Sequence, residues 1–296
     1  MNCAPVLIFT YKRLDTLKQA VAALQKNDLA AKTHVVFFSD GAKKQEDMPV
    51  IEQIREYLKT VDGFKEVTVF AKESNQGLAA SIINGVTQII NQYNKVIVLE
   101  DDLLTSKNFL TFMNKALFFY ENNAEIFSIA GYTPMINEPK DDVYFTLRGS
   151  SWGWATWKDR WEDVEWDIKN YGALKEDEAF RSAFNKMGSD MFKMLNDQMT
   201  GKINSWAIRW TYHQFKFNKY TVFPTLSKIQ NIGMGKDATH TYGGMSRFKT
   251  NFDDSGKTDF DFVARPVLNN YYLKQFLKPY SIATRIKYKI LNSLKF

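Results

Sequence analysis

Residues 95–109 read KVIVLEDDLLTSKNF, and the fold is decided where that run changes character. Its first five residues are apolar and largely β-branched after Lys95, the composition of a strand buried on both faces of a parallel sheet. Three acids, Glu100, Asp101 and Asp102, end it abruptly, and an amphipathic helix over 108–120 follows. The same unit recurs upstream. A strand over 6–11 precedes a helix over 13–26, with Leu14, Leu17, Val21 and Leu24 on one face. A strand over 34–39 precedes a helix over 49–60 that opens on a proline, a favoured first helical position. A strand over 67–71 precedes a helix over 78–93 carrying Ile82, Val86, Ile89 and Ile90 in register. Four strand–helix units at ~30-residue spacing predict an α/β fold with a parallel sheet, helices on both faces and right-handed crossovers. Ligands of such sheets sit beyond the carboxyl ends of the strands.

From residue 126 the pattern changes. Strands are expected at 128–131, 143–147 and 220–223, and helices at 176–187, 191–199 and 205–217. All seven tryptophans fall between Trp152 and Trp210. There is no internal repeat and no clean linker. The expectation is one continuous body over 1–264, made of halves 1–125 and 126–264, followed by a tail over 265–296.

The composition bounds the class. Of 296 residues, 45% are apolar and 24% charged, which is globular rather than disordered. No apolar run approaches the ~18 residues needed to cross a bilayer. The opening MNCAPVLIFTYKR has its basic residues after the apolar run, whereas a secretory leader has them before it. Cys3 is the only cysteine, which excludes an intrachain disulfide and a cysteine-based metal site and fits a reducing cytoplasm. The net charge of +6 arises at one end: residues 265–296 hold seven basic residues and no acid, leaving 32 basic and 33 acidic residues before them. The basic balance is therefore no sign of a nucleic-acid-binding body.

The polar residues after the four strands converge on one sheet edge. They are Thr10 and Arg13, then Asp40 and Gly41, then Lys72, Asn75 and Gly77, then Glu100, Asp101 and Asp102. Three consecutive acids repel one another if left bare, and a hard divalent cation, Mg²⁺ or Mn²⁺, relieves them while also binding phosphate oxygens. A helix N-cap is the competing reading, but a cap needs one acid rather than three. Gly77 opens a helix whose N–H groups suit a phosphate, although Ser74 or Asn75 as a plain cap reads the same segment. There is no G-x-G-x-x-G after the first strand, no P-loop, no H-E-x-x-H and no G-x-S-x-G.

Several segments carry a family resemblance: PVLIFTYKR, NQGLAASIINGV, VIVLEDDLLTSKNFLTFMNKAL, RGSSWGWATWKDRW and SWAIRW…QNIGMGKDATH. In order over roughly residues 4–241 they resemble the GT-A glycosyltransferases. More narrowly they are similar to bacterial family-2-type sugar transferases related to the N-acetylglucosaminyltransferase I group. The resemblance implies a Rossmann-like nucleotide-binding half over 1–125 and an acceptor-side half over 126–264. It implies a nucleotide-sugar donor, UDP-linked, and a divalent cation bound at Asp102, with Asp101 on the ribose. Thr10, Arg13 and Asp40 match positions that bind the nucleoside, and Lys72, Asn75 and Gly77 the segment beside it. Trp152, Gly153 and Trp154 resemble the loop that walls donor sugar and acceptor, and His240 the position of a further ligand to metal or diphosphate.

Inversion at the anomeric carbon needs a carboxylate base near the acceptor hydroxyl. Relatives often carry an acid in or beside the segment matching SWAIRW, and here residues 204–210 hold none. Asp197 is the nearest carboxylate upstream and is the base this reading selects. The flat faces of Trp152 and Trp154 suit stacking on a sugar, although most tryptophans pack in cores. A helix from Ser281 places Ile282, Ile286 and Ile290 on one face with Arg285, Lys287 and Lys289 elsewhere, which suits a membrane surface rich in anionic lipid. The expected partner is a surface glycan such as lipopolysaccharide or capsule, or a lipid-linked acceptor at the inner membrane face. Two rivals stand beside this reading: a non-catalytic carbohydrate-binding or scaffold protein of the same fold, and a sugar nucleotidyltransferase.

Overall fold

The computed structural model describes residues 2–233 and 246–293. Its first half follows the sequence closely. Strands β1 (Val6–Thr10), β2 (His34–Ser39), β3 (Glu66–Ala71) and β4 (Lys95–Glu100) alternate with helices α1 (Leu14–Gln25), α2 (Met48–Leu58) and α3 (Leu78–Tyr93). All four strands are parallel, in the order β3-β2-β1-β4. Phe9 lies level with Glu100, and Thr10 with Ser39. The carboxyl ends therefore share one edge. Leu17, Val21 and Leu24 of α1 and Ile54 and Leu58 of α2 pack on one face of the sheet; Ile82, Val86, Ile89 and Ile90 of α3 pack on the other.

After β4 the chain makes the short β5 (Leu103–Thr105), then α4 (Phe109–Phe119) and β6 (Ile126–Ala130). Strands β7 (Val143–Thr146), β8 (Trp154–Trp157) and, later, β9 (Tyr220–Pro224) complete an eight-stranded sheet ordered β3-β2-β1-β4-β8-β6-β9-β7. β8 is antiparallel to both neighbours and splices the two halves into one sheet. Helices α5 (Lys158–Glu162), α6 (Tyr171–Glu176), α7 (Glu178–Asn185), α8 (Met191–Met199) and α9 (Trp206–Lys216) form a lobe beside it. The helix expected over 176–187 is divided at Asp177, whose side chain caps α7 through the Phe180 N–H at 2.9 Å.

Three strands escaped the sequence reading: β5, β8 and β10 (Ile229–Asn231). β10 pairs antiparallel with β5, Asn231 level with Leu103, as a two-stranded ribbon apart from the main sheet. Each is three or four residues long, too short to show a period of two.

The segment expected as a free tail is divided as well. α10 (Asn270–Leu277) docks on the sheet, with Tyr272 stacked on Tyr144 at 5.2 Å and Phe276 against Phe223 at 5.0 Å. Only α11 (Ile282–Ser293) has no buried residue.

The loop after β10 is anchored by a buried ion pair between Lys228 and Asp253. Asp253 also accepts from Asn108 Nδ2 at 2.9 Å and from Ser255 Oγ at 2.6 Å. Burial opposes ionisation, but these donors hold the Asp253 carboxyl down at about 2. Removing one partner leaves a buried charge uncompensated. Asp253→Ala is expected to lower stability by about 3 kcal/mol, read as a drop in the urea midpoint. The double variant Lys228→Met/Asp253→Leu should recover most of that loss.

Candidate functional site

The expected strand-end residues meet at the carboxyl edge. Arg13, just after β1, forks between two acids that follow β4. Its Nη2 lies 2.6 Å from Asp101 Oδ1 and its Nη1 2.6 Å from Asp102 Oδ2. The Tyr11 N–H donates to Asp101 Oδ2 at 3.3 Å. Asp101 and Asp102 are both buried. Asp102 is further enclosed by the chain leaving β10: Ile232 N–H donates to its backbone carbonyl at 2.9 Å. A Cβ at Gly233 would lie 1.9 Å from Asp102 Oδ2 and 2.7 Å from Arg13 Nη1. Residue 233 is thus a glycine because its backbone rides directly over the carboxylate. The sequence signal for this was the glycine-rich stretch after Asn231, which reads only as a loop until the fold places it.

One guanidinium faces three carboxyls, and the imbalance shows in their ionisation. Burial, then Asp102 and Asp101, push the Glu100 carboxyl up to about 8. Burial pushes Asp101 up to about 6, with Arg13 opposing. Burial works against the Arg13 charge, yet Asp101 and Asp102 outweigh it and raise its pKa. Asp102 Oδ1 is buried with no hydrogen-bond partner among the described residues. Such an orphaned oxygen is costly unless something fills it. Among the described residues no three His, Cys, Asp or Glu side chains are gathered around one point; Arg13 stands between the two aspartates instead. The donor set is all-oxygen and partly unsatisfied, which fits a hard divalent cation.

Asp40, Asn75 and Gly77 form a second cluster on the same edge. Asp40 accepts from Gly41 N at 2.9 Å, Gln76 N at 2.8 Å, Gly77 N at 3.0 Å and Asn75 Nδ2 at 3.1 Å. The anion at the N-terminus of α3 is therefore Asp40 itself, favoured there by the helix's exposed N–H groups. A Cβ on Gly41 would lie 2.4 Å from the Ser74 carbonyl carbon, so the loops leaving β2 and β3 can approach this closely only with glycine there. Thr10 is buried at the end of β1, and Lys72 stands exposed after β3.

The tryptophan pair separates. Trp152 is half-buried and walls a cavity of about 180 Å³, with Tyr132 edge-on at 4.7 Å and Phe248 at 5.5 Å. Trp154, expected to face the acceptor, is instead 1% exposed inside β8. It packs against Trp206 at 4.9 Å, Trp210 at 5.0 Å and Trp161 at 5.7 Å. Residues two apart on a regular strand share a face, but Trp152 lies before β8 and the left-handed turn at Gly153 breaks the strand geometry, so the rings part and the core claims Trp154. Gly153 between them has φ of 62° and presses on Ile229, whose Cγ1 would lie 2.6 Å from an added Cβ. β8 begins beside the carboxyl end of β4, with Trp154 level with Val98. Asp197 lies in the last turn of α8, about one turn beyond Met194, which lines the cavity, and pairs with Lys193. It does not line the cavity itself. His240 lies outside the described residues.

Comparison with known proteins gives the following. Residues 6–193 match the family model described as Glycosyl transferase family 2. No curated protein matches the chain. Among solved structures, a mannosyltransferase from Pyrobaculum calidifontis, in complex with GDP-Man and Mn²⁺, aligns at 12% identity with a TM-score of 0.36, over 53% of this chain and 44% of that one. TarS 1–349 from S. aureus aligns at 12% identity with a TM-score of 0.42, over 78% of this chain and 60% of that one. The chain spans less than two thirds of either.

The raised carboxyls have a consequence for stability. Between their unfolded values, 3.8 for Asp101 and 4.5 for Glu100, and their folded values near 6 and 8, the folded chain holds more protons than the unfolded one. Stability is therefore highest below that window and falls as the pH climbs through it. The urea midpoint of the metal-free protein should drop from pH 5 to pH 8.5, and Glu100→Gln should flatten the upper part of that fall.

Proposed function

The chain belongs to glycosyl transferase family 2, as its match over residues 6–193 shows, and we propose that it moves a sugar from a nucleotide donor, UDP-linked, to a surface-glycan acceptor with a divalent cation at Asp102. Within the family we place it with the N-acetylglucosaminyltransferase I group, on the segments quoted above. The observation that carries the donor site is the convergence of Arg13, Asp101 and Asp102 at the carboxyl edge, with Asp102 Oδ1 buried and unpartnered.

Asp102 is the residue that would hold the cation, with His240 a further candidate and Asp101 on the ribose. When bound, Mn²⁺ or Mg²⁺ supplies a Lewis acid that neutralises charge developing on the leaving diphosphate. The protein's own cation, Arg13, sits where it can meet the same diphosphate as well as the two aspartates. Gly233 and the β10 chain cover the acids and exclude water, which strengthens every charge interaction beneath them. Thr10, Asp40, Lys72, Asn75 and Gly77 form the rim on which the nucleoside would lie. Asp40 acts there by shaping the backbone of residues 74–77, since its own oxygens already accept four donors.

Trp152 and Gly153 wall the acceptor side. Asp197 is proposed as the base that takes the proton from the acceptor hydroxyl, with Lys193 as its ion-pair partner. Asp197→Asn keeps size and hydrogen bonding and should lower kcat at least ~100-fold with donor KM little changed. Retention of near-normal kcat removes Asp197 from the mechanism.

The exposed face of α11 carries Ile282, Ile286 and Ile290, with Arg285, Lys287 and Lys289 around it. No helix among the described residues is long and apolar enough to cross a membrane. We propose peripheral contact of this helix with the anionic inner face of the membrane, where a lipid-linked acceptor is presented.

A thermal-shift panel tests the donor assignment. Ligands that bind the folded state raise Tm by mass action. UDP-sugars with Mn²⁺ should raise Tm in the wild type and leave Asp102→Ala unmoved, and sugar transfer should fall at least ~1000-fold in that variant. No shift with any nucleotide, metal present, rejects the reading. Pyrophosphate release from a nucleoside triphosphate would instead mark a nucleotidyltransferase.

A further inference from the structure

Arg148 lines the cavity beside Trp152, and two further arginines that the donor site does not use, Arg247 and Arg285, adjoin its wall at Phe248 and Ser189. The segment 148–152 connects β7 to β8 and brings Arg148 to the cavity wall. Arg148 donates to Asp190 Oδ1 at 2.8 Å, to Asp190 Oδ2 at 3.3 Å and to the Met187 carbonyl at 3.3 Å. Its guanidinium lies over the Tyr280 ring, 3.7 Å from the centroid. Arg285 of α11 donates to Ser189 Oγ at 3.0 Å, and Ser189 Oγ donates to the Tyr280 carbonyl at 2.6 Å. Arg247 flanks Phe248, which also lines the cavity, and its Nε is buried with no partner among the described residues. Burial lowers the Arg247 pKa, with Arg285 and Arg148 adding to that and Asp190 and Tyr280 opposing it. Arg247 thus feels both of the other guanidiniums.

The carboxylate that acts on all three is Asp190. Among the described residues, one carboxylate for three guanidiniums leaves two positive charges over. Gathering like charges without a counter-ion is unfavourable, and more so in a partly buried setting. A phosphoryl group has ~2 negative charges near neutral pH and oxygens that match the guanidinium fork. A second, independent feature lies in the wall of the same cavity. Tyr132 is 3% exposed, lines the cavity, and its hydroxyl has no hydrogen-bond partner among the described residues.

The rest of the cavity suits a sugar. Trp152, Trp206 and Phe248 give apolar aromatic surface, while Gly149, Ser150 and Ser151 give backbone and hydroxyl groups. Its volume of about 180 Å³ equals that of roughly six waters in the liquid. Tyr132 follows β6 and Trp152 precedes β8, both at the edge that bears Asp101 and Asp102.

We infer that this cavity is the acceptor subsite and that Arg148, Arg247 and Arg285 bind a phosphoryl group carried by the acceptor. The inference rests on the transferase reading for the word acceptor; the phosphoryl site itself is a matter of binding alone. Its test therefore uses no donor. The full chain, in EDTA and at constant ionic strength, is titrated with glucose 6-phosphate, glucose and glucuronate, reading intrinsic tryptophan fluorescence. Trp152, Trp206 and Trp210 line the cavity and report on it.

Glucose 6-phosphate should give a saturating change, with glucose and glucuronate at least ~10-fold weaker. Arg247→Ala and Arg285→Ala should each weaken the response ~10-fold or more. Arg247→Lys should keep most of it, and Asp102→Ala should leave it unchanged. Arg148 is left intact because its pair with Asp190 also holds α8 in place. Circular dichroism confirms that each variant is folded.

Equal binding of glucuronate overturns the phosphoryl assignment. A response lost in Asp102→Ala and kept in Arg247→Ala moves the phosphate to the donor site and overturns the proposal. An Arg247-dependent response to phosphatidylglycerol vesicles supports the phosphoryl chemistry and assigns its source to a lipid headgroup. If glucose 6-phosphate binds through Arg247 while no nucleotide sugar is consumed, the transferase reading fails and the phosphoryl site stands. The reverse outcome, transfer without any phosphate effect, removes this site alone.

Discussion

The fork of Arg13 between Asp101 and Asp102 is the constraint around which the site is built. Three carboxyls at the end of one strand are tenable only with positive charge close by. The loop after β1 supplies that charge, because β1 is the parallel neighbour of β4 and their ends fall level. The pairing holds two adjacent loops together and leaves the remaining negative charge in place. Anything cationic that enters shares the aspartates with Arg13, and anything anionic is drawn to Arg13 itself. A nucleotide diphosphate with its cation satisfies both demands at once, and neither alone does. The cover formed by Gly233 depends on the same pair, since its backbone rests against Asp102 Oδ2 and Arg13 Nη1 together.

How much of this was legible in the sequence follows from where the order is local. The strand–helix units to Glu100 declare themselves through apolar periodicity, and parallel connections then bring their ends together with little freedom. Arg13, Asp101 and Asp102 were found for that reason. What Asp40 does was not visible, because a carboxylate after a strand looks the same whether it meets a ligand or closes the N-terminus of α3. The second half is different in kind. WATW is a strand only because β4 and β6 flank it, and its four residues carry no pattern that outweighs two tryptophans beside a glycine. The arginine cluster draws on 148, 247 and 285, three segments that meet only through tertiary packing. Spacing along the chain gives no sign of them.

The two charged centres are also held in different ways. The edge proposed for the donor is fixed by the parallel sheet, whose strand ends have little room to move. The cavity proposed for the acceptor is walled by α8, α9 and the segment 148–152, and completed by Tyr280, with Arg285 behind it at Ser189. Its geometry therefore depends on α10 docking against Tyr144 and Phe223, since that contact brings Tyr280 under Arg148. α11 follows directly, with its isoleucines outward and Arg285 turned toward Ser189. One helix thus presents an apolar, basic face to the outside while touching the residue beside Asp190. Anything that settles α11 on a surface also sets Arg285 relative to Asp190. In this architecture, the placement of α11 and that of Arg285 beside Asp190 are set together.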